Sequence, residues 1–457
     1  MRRRATGITT LLFLAGALAG CGDSTGPDRL YFGSSLAVGP ENVLSAEVTV
    51  RATGYRYASL RYTDGAGHAE ETPLYAFGPD STARPALLGL APERSYDVEI
   101  VLVDPGELSV DTLPLTTGSL PDWLPAVAPV GTDTIPGFVI LSIPDGPVIV
   151  DNTGRVVWYR YDPDITLVNF QAHASGVYTA YGFSKAVRAY DVLDELGRET
   201  GLIQCVGYET RFHEVRVLSD GRALVMCDDY RTEDLSPYGG SPTAEVNWTV
   251  VQRLAADGSL EWEWHTADHF DISDTSAPSL EGVKVLNLTH GNSIDIDTDG
   301  NYLVSFRNLN EITKVNALTG DVIWRFGGRR NEFVFLGDPK GTFQRQHGVR
   351  VVAPGEIQLL DNSDEAPSRF LRYRIDESAR TATLLWQYID GPDIHSLVGG
   401  STQVYEDGGG LVSFGREGRV VEVDASGNRR WELTGIEDLY VFRSQRIPSL
   451  FASERSR

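Results

Sequence analysis

A unit of about fifty residues recurs along most of this chain and limits its possible folds more than any other feature. Each copy holds a β run, a glycine turn, a second β run, a third strand and a turn closing on tryptophan. The turn glycines are Gly176, Gly221, Gly300, Gly355 and Gly409; the closing tryptophans are Trp158, Trp262, Trp324, Trp386 and Trp431. Four short strands per unit at that interval predict a β-propeller. Five units are clear, and a sixth is split between residues 138–158 and the C-terminus, which predicts six blades over residues 124–446. The tryptophans are read as filling between blades, without chemistry. Two stretches, "DHFDISDTSAPSLEGVKVLNL" and "GRRNEFVFLGDPKGTFQRQ", exceed a blade turn and predict loops crossing the propeller face.

The rest of the chain also reads as β. It has 47 glycines and 23 prolines among 457 residues, spaced like turns, and no long amphipathic helix pattern. Residues 30–118 alternate in short runs such as "AEVTVRA", "ASLRYTD" and "YDVEIVLVD". Around "ALLGLAPERSYDVEIVLVD" this segment resembles an Ig/fibronectin type III β-sandwich, with Leu90 and Tyr96 packing across its sheets. The expected fold class is therefore all-β, a six-bladed β-propeller preceded by an Ig/fibronectin-III-like sandwich. The proline-containing segment "GSLPDWLPAVAP" links the two.

The first twenty residues read as a leader: Arg2, Arg3 and Arg4 precede an apolar stretch at 8–18 that is too short to span a bilayer. Leu18-Ala19-Gly20-Cys21 matches a lipobox. That predicts a lipoprotein signal peptide over 1–20, lipidation of Cys21, a polar tether over 21–29 and residence in the cell envelope, on the periplasmic side or the cell surface. The chain carries 40 Lys and Arg against 63 Asp and Glu, a net charge of −23. Such a surface argues against nucleic acid or anionic lipid as partner. Membrane association is expected through the lipid anchor alone. Cys205 and Cys227 remain, flanking His213, and in an exported protein they are expected to pair as a structural disulfide. Their spacing fits no Cys-x-x-Cys metal motif.

Three of the eight histidines share one phase of the repeat. His213, His290 and His347 stand eight to ten residues before Gly221, Gly300 and Gly355, at the expected start of each innermost strand. Counting back equally from Gly409 reaches Ser401, beside Thr402. A closed ring would bring these positions to one end of its axis. Arg307 follows the second strand of the His290 unit, and in an antiparallel hairpin that places it at the same mouth. Asn292, two residues beyond His290, is expected on the same side of its strand. Three imidazoles can hold zinc with one open position, but a cationic Arg307 beside them opposes a metal. Imidazole, guanidinium and amide donors suit a sulfate or phosphate group better. His173, His265, His269 and His395 fall out of phase and are read as surface or supporting residues; His68 belongs to the sandwich surface.

The strings "LTHGNSIDIDTDGNYLVSFRNLNEITKVNALTGDVIWRFGG", "FQRQHGVRVV" and "IQLLDN" resemble the bacterial arylsulfate sulfotransferases that work without PAPS. The resemblance runs over residues 138–431 and is strongest over 289–362. It implies sulfuryl transfer from a phenolic sulfate ester to a phenolic acceptor through a sulfohistidine, with no cofactor. It also implies that His347 is the nucleophile and that His290, Asn292 and Arg307 bind the sulfate. His213 matches the remaining site histidine, and Ser401 or Thr402 a hydroxyl ligand. The chain departs from the family in two places: no cysteine lies near His347, and paired histidines in the early unit are reduced to His213 followed by Glu214. The alternative reading is a non-catalytic envelope propeller that binds a ligand or partner, because "NALTGDVIW" also looks like the docking turn of quinoprotein-type and assembly-lipoprotein propellers. A histidine-metal hydrolase is a third.

Overall fold

A computed structural model of the chain describes residues 29–455 apart from positions 40, 132, 163 and 184. The leader, Cys21 and the tether up to residue 28 lie outside the described residues. The fold is all-β and divides into two units, one ending at Leu124 and one beginning at Pro125.

In the first unit, strands Leu30–Val38, Ala46–Thr53, Thr82–Ala83 and Ala86–Leu87 form one sheet. Ala69–Glu71, Tyr57–Asp64, Tyr75–Ala76, Ser95–Val103 and Glu107–Thr116 form the other. Alternation sends one face of each inward, so Ala46, Val48 and Val50 share a core with Leu60, Val98, Ile100 and Leu102. Leu90 and Tyr96 belong to that core. The Tyr96 hydroxyl accepts the Ala91 N–H at 2.8 Å, which gives the buried phenol its polar partner.

The second unit holds six sheets in chain order among the described residues. The first combines Phe138–Ser142, Val148–Asp151 and Val156–Tyr159 with the distant strand Arg443–Ile447. The second comprises Leu167–Ala172, Tyr178–Gly182, Tyr190–Leu193 and Glu199–Ile203. The third comprises Glu209–Val217, Ala223–Glu233, Ala244–Leu254 and Leu260–His265, and the fourth Gly291–Ile296, Tyr302–Phe306, Glu311–Val315 and Val322–Gly327. The fifth comprises His347–Ala353, Glu356–Asp361, Arg369–Asp376 and Thr381–Tyr388. The sixth comprises Ser401–Val404, Gly410–Ser413, Val420–Val423 and Arg429–Thr434, joined at its far edge by Ala128–Val130. Leading strands of successive sheets lie against one another, and Arg443–Ile447 contacts both Ser401–Val404 and Leu167–Ala172. The two ends of the unit are thus sewn together twice, once by each terminus.

The tryptophans tie sheet to sheet. Trp158 donates its indole N–H to Glu195 O at 3.0 Å, Trp264 to Gly320 O at 2.8 Å and Trp431 to Asn152 O at 3.0 Å. Each bond secures a turn of the following sheet and contributes about 1 kcal/mol net. In the third sheet the hydrogen-bonded tie is Trp264. Trp262 instead packs edge-on against Tyr302.

Both long insertions are more than loops. The first contains a 3₁₀ turn, Ile272–Asp274, and a strand, Val285–Asn287, parallel to Ala244–Leu254. The second contains Val334–Leu336, parallel to Thr381–Tyr388. Each insertion satisfies its own backbone groups by extending an existing sheet.

Candidate functional site

Local irregularity, rather than regular strand, brings the histidines together. His213 lies inside Glu209–Val217, not at its start, where the register breaks between Thr210 and Val215. This bulge takes residues 211–214 out of the ladder and redirects their side chains. His290 has φ 51°, in the left-handed region, a strained setting for a non-glycine residue. His347 opens its strand as expected.

One cavity of about 370 Å³ is lined by all three histidines and by Arg307. The Nε2 atoms of His213 and His290 lie 3.0 Å apart, so the pair shares one proton. Asn287 Nδ2 donates to His290 Nδ1 at 2.9 Å, which puts the shared proton on His290 Nε2 with His213 Nε2 accepting it. His347 is held differently. Its Nδ1 lies 2.7 Å from Asn362 Oδ1 and 2.9 Å from the Arg345 carbonyl. Asn362 cannot turn over, because its Nδ2 already donates to Ser396 O and Gly399 O at 2.7 and 2.9 Å. Two acceptors around Nδ1 require the proton there. The lone pair is therefore on Nε2, which has no hydrogen-bond partner among the described residues.

Burial holds all three imidazoles neutral. It is the main cause lowering His347 to about 4, partly countered by the Asn362 hydrogen bond, with Arg307 lowering it further. His213 and His290 are pushed well down, first by burial and then by neighbouring cations and imidazoles. These shifts link to stability. Each folded value lies below the unfolded value near 6.5, so the unfolded chain binds protons first. Stability from this source is intact above about pH 6.5 and is lost as pH falls toward the folded value. Urea unfolding followed from neutral pH down to about pH 4 should show that decline, and His347→Gln should make it shallower. An unchanged slope in the variant would remove His347 from the linkage.

Arg307 comes from the 3₁₀ turn after Tyr302–Phe306, and its backbone N–H donates to His290 O at 3.0 Å. Its guanidinium meets only neutral acceptors, Asn308 Oδ1 at 2.9 Å and Leu397 O at 3.1 Å. Arg188 and Arg211, the other cations lining this cavity, are ion-paired with Glu209 and Asp228. One positive charge thus remains uncompensated, in the same cavity as a neutral imidazole with its lone pair free. That combination fits attack on a singly charged oxyanion ester.

Three expected ligands are placed elsewhere. Asn292 is buried outside the cavity lining, and its Nδ2 donates to Gln346 O at 2.6 Å. There it braces the backbone ahead of His347. Ser401 and Thr402 line a separate cavity with Arg216, Arg350 and Arg443. Ser401 Oγ donates to Ser444 O at 2.9 Å and accepts the Ser444 N–H at 3.0 Å, so the closing strand engages this hydroxyl. The lining of that second cavity includes Gly348 but not His347, and it is not the candidate site. Cys205 and Cys227 form a disulfide that staples the entry of the bulged His213 strand to its neighbour.

Asn362 and Asn287 are site residues that the phase argument missed. Asn362 carried a signal: it follows the second strand of the His347 hairpin as Arg307 follows that of the His290 hairpin. Among the described residues, the one trio with metal-ligand geometry is Asp297, Asp299 and Glu377. It encloses the Lys314 ammonium at 2.5–2.7 Å, away from the histidines.

A model of the arylsulfotransferase (ASST) family matches residues 205–436. No curated protein matches the chain. Among solved structures, a protein of unknown function from Bacteroides caccae is 15% identical over 69% of this chain and 100% of its own, with a TM-score of 0.45. A streptogramin B lyase is 11% identical over 67% of this chain and 86% of its own, at 0.39. Virginiamycin B lyase from Staphylococcus aureus is 10% identical over 67% and 87%, at 0.35.

Proposed function

Because the chain belongs to the arylsulfotransferase family, we propose that it moves a sulfuryl group from a phenolic sulfate ester to a phenolic acceptor through His347. The observation that carries the proposal is the locked tautomer of His347, with Nδ1–H held by Asn362 Oδ1 and Nε2 free. In the first half-reaction Nε2 attacks sulfur, the S–O(aryl) bond breaks and the phenolate leaves with the bonding pair. A phenol has a pKa near 10, so it departs with little acid assistance. Sulfuryl transfer is expected to parallel phosphoryl transfer, with charge spread over three oxygens. Arg307 faces that charge, and the His290 Nε2–H, given to His213 before the donor binds, turns to it. In the second half-reaction the acceptor oxygen attacks sulfur, the S–Nε2 bond breaks with its electron pair returning to His347, and the acceptor's proton passes to His213 Nε2. No cofactor enters either step. Phe212 and Tyr440 provide aromatic wall for the aryl group.

Within this proposal the six sheets are the blades of a six-bladed propeller, and the first unit is an Ig/fibronectin-III-like sandwich. The leader and Cys21 export the chain and anchor it by lipid in the cell envelope. The test is incubation with p-nitrophenyl sulfate alone, followed by peptide mass analysis. The expected result is one sulfuryl group on the peptide containing His347, released by added phenol. Donor turnover without any modified histidine would overturn the mechanism.

Asn362→Leu provides a second check. It removes the acceptor that fixes the tautomer and should lower kcat by roughly ten- to a hundredfold, the value of a lost buried hydrogen bond of about 1–3 kcal/mol. The loss should appear in both half-reactions and move the acid limb of the pH profile. A purely structural role would instead lower Tm without shifting that limb.

A further inference from the structure

The histidine cavity is larger than one aromatic ring requires. A cavity of about 150 Å³ accommodates benzene, whereas this one measures about 370 Å³. Its lining includes Phe183 and Tyr230, each 48% exposed, together with the exposed Val398. Clustered apolar groups left in water around one opening mark a ligand surface rather than a core. The rings also form a continuous series outward from the chemistry. Phe212 lies 4.0 Å from the His213 ring, and the exposed Phe183 lies 5.5 Å from Phe212 in edge-to-face geometry. Phe183 follows strand Tyr178–Gly182 of the second sheet and Tyr230 lies on Ala223–Glu233 of the third. Two sheets therefore contribute one exposed aromatic each to the same lip.

We propose that Phe183 and Tyr230 form a second aryl subsite, which selects phenols whose reacting ring carries a further aromatic ring. The inference rests on the sulfotransferase reading of the same cavity. The reacting ring lies against Phe212 and Tyr440, and the second ring takes up the surface that Phe183 and Tyr230 leave exposed. Arg188 and Arg211 at this wall are both ion-paired, so the lip favours an uncharged second ring over a charged substituent.

The test holds p-nitrophenyl sulfate constant as donor and compares phenol with 4-phenylphenol as acceptor. The unsubstituted protein should prefer 4-phenylphenol by roughly tenfold in kcat/KM, expressed in KM, as one buried aromatic contact provides. Phe183→Ser and, independently, Tyr230→Ser should each reduce that preference severalfold while leaving transfer to phenol unchanged. No preference in the unsubstituted protein, or an equal loss for both acceptors in both variants, overturns the subsite. If no acceptor is sulfated by any of the three proteins, the sulfotransferase reading fails separately. Calorimetric Kd values then decide the subsite: tighter binding of 4-phenylphenol than phenol, lost in both variants, supports it, and equal Kd values overturn it.

Discussion

Replacing His347 with alanine is expected to reduce sulfuryl transfer by on the order of 10⁵–10⁶, the scale on which enzymes lose rate with their nucleophile. Of the three buried imidazoles, His213 and His290 are committed to each other through Nε2. His347 alone presents an unprotonated nitrogen without a partner, because Asn362 and the Arg345 carbonyl both accept from its other nitrogen. Its depressed pKa, about 4 through burial, keeps that nitrogen available across the neutral range. Rapid mixing with p-nitrophenyl sulfate should give a burst of p-nitrophenol equal to the enzyme present, followed by acceptor-dependent turnover. The His347→Ala protein should show neither phase, nor any sulfurylated peptide. His290→Ala should retain the burst stoichiometry at a reduced rate, since it removes a donor and not the attacking atom. A full burst in His347→Ala would reassign the nucleophile.

The sequence carried the site where the repeat was regular and misdirected it where the backbone departs from regularity. His213, His290 and His347 were legible together because a repeat puts equal phases at one end of the sheets, and the cavity does contain all three. Arg307 followed from the antiparallel hairpin, a rule that survives twist and bulge. Asn292 was expected in the cavity and lies outside its lining, because alternation by two assumes an unbroken strand. Here His290 has a left-handed backbone and the register shifts between Gly291 and Ser293. The bulge turns the amide toward Gln346 O instead. Ser401 has the correct phase, yet the strand Arg443–Ile447 takes both sides of its hydroxyl, and a strand arriving from the end of the chain is invisible to counting within a repeat. Phe183 and Tyr230 had no motif at all. They line one cavity only because neighbouring sheets meet, which is information in the tertiary fold rather than in either segment.

Arg307→Leu should lower kcat for aryl sulfate donors by about 10²–10³, the usual cost of removing a preorganised donor from developing negative charge. The charge balance of the cavity makes this residue special. Arg188 and Arg211 are compensated by Glu209 and Asp228, and the three histidines are neutral. Arg307 has only neutral acceptors and no ion-pair partner among the described residues. An aryl sulfate monoester brings one negative charge, so substrate binding completes the charge balance around Arg307. Burial already weakens the hold of Arg307 on its proton, and a positive charge in such surroundings gains more from an anion than it would in water. Leucine approximates the stem but removes both the charge and the planar donors. Arg307→Lys restores the charge without the fork and should recover only part of the rate. Inorganic sulfate provides an independent reading, inhibiting the unsubstituted enzyme competitively with the donor and the Arg307→Leu protein only at much higher concentration. The largest rate loss should fall on donors with the most basic phenolate, where the transition state retains most charge on the sulfuryl oxygens and leaving oxygen. If Arg307→Leu retains both the donor rate and the sulfate inhibition of the parent within about threefold, the guanidinium does not bind the sulfuryl group. The uncompensated charge would then have to serve the acceptor instead.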